Sequence, residues 1–269
     1  MISALFFALA GDLSVDTPQQ LSADIAWIAE NEFCEPETVL PLPDDTLLVS
    51  NVCDFRTEGD GYLTLLAANG DVIEARRVDG LDSPLGMTLV DDKLYVVDNN
   101  TVKIFHWPSY QQQSTVALQT AVANDIAVAD DGTMYITDTS RGEVARVSPS
   151  QEHTLLENTG GFAGANGIHI YGDELYVGGE TLWRVDLADD SVGVIGPEWL
   201  TDIDGIEMER DGTLQVTPVG GPLIRLAEDV EMYSGEGVSS ANHGYAESLG
   251  LVLIPTGFDN AVIAIRVHE

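Results

Sequence analysis

Glu37, Leu85, Asn124, Asn166, Asp204 and Asn242 each stand just ahead of an apolar run, at intervals of 48, 39, 42, 38 and 38 residues. Five of these six anchors carry a side-chain oxygen. Two carboxylates with three neutral amides form a hard donor set, which suits calcium, an ion that takes about 6 to 8 oxygens at roughly 2.3 to 2.6 Å. No His or Cys cluster has the spacing of a zinc site. Asn or Asp beside Gly, as in Asn166-Gly167 or Asp204-Gly205, is on its own an ordinary turn former. Recurrence of one register in six places favours a shared ring of oxygens instead.

For such residues to meet, the chain must return to one axis about every forty residues, a period that belongs to propellers and solenoids. Each unit has an apolar run, a turn rich in Asp and Gly, and a second apolar run. The first runs begin at Pro36, Pro84, Ala123, Ala165, Ile203 and Ala241. They lead to second runs beginning at Leu47, Leu94, Met134, Leu175, Leu214 and Leu251. A third candidate strand follows, as at Thr101 to Phe105, Glu143 to Val147, Leu182 to Val185, Leu223 to Leu226 and Ala261 to Val267, and then a weaker fourth. Helical periodicity is not convincing beyond the N-terminus. The pattern predicts an all-β, six-bladed β-propeller with four-stranded blades, one unit over 21–269. Radial closure leaves only short sheet edges, and residues from about 21 to 33 are expected to complete the last blade.

If the anchors open the innermost strands, the ends of the second strands lie at the same mouth. Pairing about the turns puts Asn124 opposite Asp138, Leu85 opposite Asp98 and Asp204 opposite Pro218. Asp98 and Asp138 are therefore candidates for orienting ligands or binding substrate hydroxyls, or else they cap loop backbone. Leu85, Asn124 and Asn242 complete the candidate substrate-binding set. His243 follows an anchor and is a candidate general base, since imidazole titrates near neutrality; more often such a residue is packed or exposed. His106, His153, His169 and His268 read as structural or solvent-facing.

With 45 acidic and 11 basic residues the formal charge is −34, which disfavours nucleic acid and anionic membrane surfaces. The acid is spread along the chain, as in a surface adapted to saline surroundings or in an acidic secreted protein. Residues 1–10 resemble the apolar part of a secretory signal, with Ala8 and Ala10 near a cleavage-like site but no basic start. A truncated signal, a misplaced start and a short N-terminal helix all fit residues 1–20. No other stretch is long and apolar enough to span a membrane. Cys34 and Cys53 enclose 18 residues and fall nearly opposite each other at the open end of a hairpin. Either a disulfide, worth about 3 kcal/mol in the chain-entropy model, or two buried thiols is compatible. A monomer in the periplasm or outside the cell is the expectation.

The motifs together resemble the senescence marker protein and gluconolactonase family, related in architecture to paraoxonase and strictosidine synthase. The carriers span roughly residues 25 to 267: Pro36-Glu37-Thr38-Val39 with Val49-Ser50-Asn51, the run from Gly80 to Met87, Asn124-Asp125-Ile126 with Tyr135-Ile136-Thr137-Asp138-Thr139, Asn166-Gly167-Ile168, Asp204-Gly205-Ile206 and Ile254-Pro255-Thr256. The resemblance implies a calcium-type divalent metal held by Glu37, Asp204 and Asn166, with Asn124 as accessory amide. It also implies hydrolysis of a small-molecule lactone or related ester; Asp204 is the candidate base that takes a proton from the attacking water, with His243 second. Three positions depart from the family. Val122 stands where sugar lactonases carry a substrate-binding Arg, Leu85 where Lys is frequent, and Asn242 where Asp is frequent. The mouth is thus less charged, and an apolar or bulkier ester fits better than gluconolactone. A non-catalytic propeller with a structural metal is the alternative. Strictosidine-synthase-like condensation lacks an identifiable acidic catalyst.

Overall fold

The Asp-rich turns of the repeat close through their own side chains. Oδ1 of Asp44, Asp131 and Asp211 accepts the backbone N–H two residues on, at 3.2, 2.8 and 2.9 Å, the local bond that makes Asp a turn residue. The computed structural model describes residues 18–55, 57–156, 161–227, 230–233 and 241–267. The signal-like residues 1–10 and His268 lie outside the described residues.

Each turn joins the first two strands of a four-stranded antiparallel blade. Blade one runs Pro36–Pro41, Leu47–Asn51, Gly61–Leu66 and Val72–Leu81. Blade two runs Pro84–Val90, Lys93–Asp98, Thr101–His106 and Gln111–Ala117. Blade three runs Ala123–Val128, Met134–Asp138, Glu143–Val147 and His153–Leu155. Blade four runs Ile168–Tyr171, Glu174–Val177, Leu182–Asp186 and Ser191–Ile195. Blade five runs Ile203–Met208, Leu214–Pro218, Leu223–Leu226 and Val230–Tyr233, with Gln19–Gln20 added in parallel at its edge. Blade six is built from both ends of the chain: Gly244–Ala246, Leu251–Thr256 and Ala261–Val267 are completed by Ala23–Glu30, antiparallel to the last strand. The expected six-bladed propeller is thus the fold, and the early segment closes the final blade.

Burial follows the radial order. Second strands are mostly buried, Leu47–Asn51 and Met134–Asp138 wholly so, whereas an outer strand such as Gln111–Ala117 is almost wholly exposed. Polar outer edges resist pairing with another chain. The core is divided among the blade interfaces. Val39, Leu47, Val49 and Leu66 of blade one pack on Leu251, Leu253 and Val262 of blade six, and Tyr95, Val97 and Val102 of blade two pack on Ile126, Val128 and Ile136 of blade three. Leu223 of blade five packs likewise on Val252, Ile254 and Ile263 of blade six. Each large aliphatic side chain buried here contributes about 1.5 to 3 kcal/mol, so every blade is stabilised mainly by its neighbours.

Cys34 and Cys53 form a disulfide with Cα atoms 4.8 Å apart. Pairing continues past the strand ends to reach them: Val52 N–H donates to Glu35 O at 3.2 Å and Cys53 N–H to Cys34 O at 3.0 Å. The bridge therefore fixes the point where the chain leaves the closing strand of blade six and enters blade one. Replacing both cysteines by serine should lower unfolding free energy by about 3 kcal/mol. Denaturant unfolding would register this, and reduction of the parent protein should reproduce the same loss.

Candidate functional site

A bulge recurs where the innermost strands begin. In blade one Pro36 pairs with Asn51 and Val39 with Val49, in blade two Pro84 with Asp98 and Met87 with Val96, and in blade three Ala123 with Asp138 and Ile126 with Ile136. Two residues of the first strand thus face one of the second. Blade five slips similarly between Ile203 and Gly205. A bulge bends the strand and re-aims a side chain, and here the re-aimed residues are Glu37, Leu85, Asn124 and Asp204. The N–H groups left over find side-chain acceptors: Thr38 N–H donates to Ser50 Oγ at 3.0 Å and Asp125 N–H to Thr137 Oγ1 at 2.9 Å. The expected facing pairs are displaced by one residue for this reason. Asp138 opposes Ala123, Asp98 opposes Pro84 and Pro218 opposes Ile203.

Close backbone approach brings the anchors of blades four to six together. A Cβ on Gly167 would lie 1.7 Å from Asp204 O, and one on Gly205 would lie 2.4 Å from His243 Nδ1. Only glycine fits at either place.

At this mouth, Oδ1 of Asn124, Asn166 and Asp204 is buried and accepts no hydrogen bond among the described residues. Such orphaned acceptors cost about 1 to 3 kcal/mol each when nothing meets them. Glu37 Oε2 accepts one bond, from Thr38 Oγ1 at 2.6 Å. Burial, then the charge of Asp204, holds the Glu37 carboxyl well above the ordinary range. Burial and the charge of Asp125 push Asp204 up to about 7. Two buried carboxyls of raised proton affinity, beside two amide oxygens with no donor, form a site deficient in positive charge. The residues therefore fit a hard divalent cation. No group of three or more His, Cys, Asp or Glu side chains among the described residues is placed to hold a metal, so an ion here must take the amide oxygens as well.

Other sequence-predicted residues are placed elsewhere. Leu85 is buried. Asn242 has its backbone tied to blade one, its N–H donating to Glu37 O at 2.9 Å and its carbonyl accepting from Val39 N–H at 3.4 Å, while its side chain bonds Asp125. Asp98 Oδ1 accepts the N–H groups of Asp82 and Ser83 at 2.9 and 2.7 Å, and its other oxygen pairs with Lys103. Asp138 accepts from Ala121, Val122 and Arg141 at 2.5, 3.2 and 3.1 Å. Both carboxylates are buried and hydrogen-bond loop backbone, the capping role that stood beside substrate binding as the alternative.

His243 is packed, the other role open to it. It is 1% exposed and lines a cavity of about 460 Å³ inside the channel, whose lining includes none of Glu37, Asn124, Asn166 or Asp204. Burial and the neighbouring His169 push its pKa down to about 3, too low for an effective base near neutrality. His169, expected to be structural or solvent-facing, lines the same cavity beside Glu207, with Nδ1 3.6 Å from Oε2. Burial lowers His169 to about 4 and raises Glu207 to about 8.

Asp125 escaped the sequence reading as a functional group. It is 4% exposed; Oδ1 accepts Ile126 N–H at 2.8 Å and Oδ2 accepts Ile168 N–H at 3.0 Å. Burial nevertheless pushes its pKa up to about 7. The available signal was the register one past the anchors, which reads Thr38, Gly86, Asp125, Gly167, Gly205 and His243. Gly86 leaves the room this carboxylate occupies, since a Cβ there would lie 2.0 Å from Asp125 Oδ1.

The loops on the anchor face carry exposed apolar side chains. Phe55, Val122, Trp199, Val219 and Phe258 are 63, 45, 41, 54 and 84% exposed. Each follows a second strand or precedes a first one, so strand direction places all five around the mouth.

No family model matches the chain, and no curated protein matches it in sequence. Among solved structures it is similar to selenomethionine-substituted virginiamycin B lyase from Staphylococcus aureus, with TM-score 0.65 and 8% identity over 92% of this chain and 100% of that one. A catalytically inactive histidine-to-alanine variant of that lyase with quinupristin aligns with TM-score 0.64 and 12% identity over 93 and 100% of the two chains. A streptogramin B lyase aligns with TM-score 0.62 and 11% identity over 90 and 98%. At such identities the likeness is one of fold: the chain is a six-bladed β-propeller similar to these lyases.

Proposed function

We propose that the chain is a calcium-type, metal-dependent hydrolase of an apolar lactone or related ester, of the gluconolactonase-like kind, working at the channel mouth. The observation that carries this reading is the set of buried, donorless oxygens on Asn124, Asn166 and Asp204 beside the like-charged Glu37. Glu37 and Asp204 would hold the ion as charged ligands, Asn166 as a neutral one and Asn124 as accessory amide. When bound, the cation supplies polarisation of the ester carbonyl and stabilisation of the oxyanion.

The chain's own residues supply the rest. The apolar side chains around the mouth bind and orient an apolar ester and exclude water from its flanks. Val122, exposed among them, offers no charge for a sugar hydroxyl. Asp204 has two oxygens, so that one would hold the ion while the other serves as general base. It takes a proton from the attacking water as the new C–O bond forms. It then returns that proton to the leaving oxygen as the ester C–O bond breaks.

A second reading, a binding propeller with a structural ion, draws support from the burial of the ring oxygens and from the commitment of Asp98 and Asp138 to loops. Lactones and aryl esters assayed with calcium and with chelator separate the two. Turnover that chelator abolishes and calcium restores supports the enzyme, and calcium binding without turnover supports the alternative. Products distinguish hydrolysis from the elimination suggested by the lyase names of the structural neighbours: water adds in the first, and an alkene appears in the second. Asp204→Ala should lower kcat/KM roughly a hundredfold to ten-thousandfold with circular dichroism unchanged; retained activity would remove Asp204 from the mechanism.

The raised carboxyls also set a pH dependence. A carboxyl whose folded pKa lies above its unfolded value of about 3.9 favours folding while protonated, and that contribution fades as pH rises through the folded value. For Asp204 the window runs from the unfolded range to about 7. A cation binding the ionised ring should restore the loss. The calcium-induced rise in Tm is expected to be large at about pH 8 and small at about pH 5; a shift equal at both would contradict the ring assignment.

A further inference from the structure

Three loops of the anchor face meet beside Glu37. Glu35 N–H donates to Asn260 Oδ1 at 2.7 Å, which ties the turn between the second and third strands of blade six to the segment that enters blade one. Val52 N–H donates to Glu35 O at 3.2 Å and Cys53 N–H to Cys34 O at 3.0 Å, so the corresponding turn of blade one is tied to the same segment, with the Cys34–Cys53 disulfide across the join. Each turn lifts a phenylalanine into solvent: Phe258 and Phe55 are the most exposed aromatic side chains among the described residues. Scattered singly such exposures need no explanation, but two on loops joined through one short segment, at the edge of a mouth, mark a contact site.

The charge of the same loops selects the kind of ligand. Segments 31–35, 52–60 and 257–260 carry six carboxylates against one guanidinium. Glu35 and Asp259 are exposed, the latter directly after Phe258. With a divalent cation in the ring, the charges of Glu37 and Asp204 are offset, and the loops set the local sign. An anionic group is repelled here, and a neutral one gains nothing from the carboxylates. An ammonium group gains twice, from the negative potential and from the face of an aromatic ring. Two residues of chain span at most about 7 Å, so Glu35 stands within that distance of Glu37, and a spacer of a few carbons reaches from the loops to the ring.

We propose that Phe55, Phe258, Glu35 and Asp259 form a subsite for an ammonium group, and that the substrate is an ester or lactone carrying a positive charge a few carbons from its carbonyl. The inference deepens the hydrolase reading of the mouth and rests on it. Full-length, calcium-saturated protein is given the para-nitrophenyl esters of γ-trimethylammonio-butyric acid and of its uncharged isostere, γ-tert-butyl-butyric acid. The two share a leaving group and differ in charge, and each rate is divided by that of the ester in buffer alone. At the lowest salt that leaves circular dichroism unchanged, kcat/KM is expected to be about tenfold higher for the ammonium ester, and the ratio should fall toward one as sodium chloride screens the loops. Glu35→Gln combined with Asp259→Asn should lower the ratio about fivefold and leave kcat/KM for the uncharged ester unchanged. Equal kcat/KM for the two esters, a ratio indifferent to salt, or a ratio unchanged in the double variant would each overturn the subsite while leaving the hydrolase intact. Turnover of neither ester counts against the hydrolase, and calorimetry with choline and its uncharged isostere dimethylbutanol then decides the subsite. Preference for choline that the double variant loses supports it, and equal binding or none overturns it.

Discussion

Negative charge and unsatisfied oxygen are gathered at one end of the channel, and the rest of the molecule is arranged so that they stay there. Water would ordinarily solvate a carboxylate or hydrogen-bond an amide oxygen, and here the blades keep it out. Burial raises the proton affinity of Glu37 and Asp204, with Asp204 adding to the effect at Glu37 and Asp125 to that at Asp204, and the Asn124 and Asn166 oxygens have no hydrogen to accept. A lone buried carboxylate would simply protonate. A ring of several oxygens, held at fixed positions by different blades, is instead suited to sharing one cation.

Holding it requires rigidity from elements that are individually weak. A four-stranded blade has little core of its own, and the aliphatic side chains are buried between blades. Closure is consequently a condition for the site. Ala23–Glu30 completes blade six, the disulfide pins the passage from that strand into blade one, and Asn242 hydrogen-bonds to both sides of Thr38 through its backbone. The chain ends thus join next to Glu37, a charged member of the ring.

The bulges connect this scaffold to chemistry. Each inserts a residue at the channel end of an innermost strand, and hydroxyls from the adjoining strands absorb the irregularity. Thr137 accepts from Asp125 N–H and donates to Asn166 O at 2.6 Å, so a single hydroxyl ties the anchor of blade three to that of blade four. Thr217 does similar work between blades five and six through its contacts with Ala241 O and His243 Nδ1. The same hydroxyl that stabilises the bulge also holds the imidazole in place.

Much of this was legible in the residues. Recurrence near forty positions, apolar runs and Asp-Gly turns are properties of the sequence alone, and they determined six four-stranded units, the closing segment and the register that singles out Glu37, Asn124, Asn166 and Asp204. The position of Cys34 and Cys53 at the open end of a hairpin was likewise local, although only the structure joined them. What the sequence could not decide was direction. Asp98, Asp138 and His243 have the right chemistry at nearly the right places, but a one-residue bulge and a turn of the strand sent the carboxylates into loop backbone and the imidazole into the channel. Asp125 and Glu207 were overlooked for the same reason. Whether a carboxylate is solvated, capped or stranded depends on groups from other blades, and those meet only when the propeller closes.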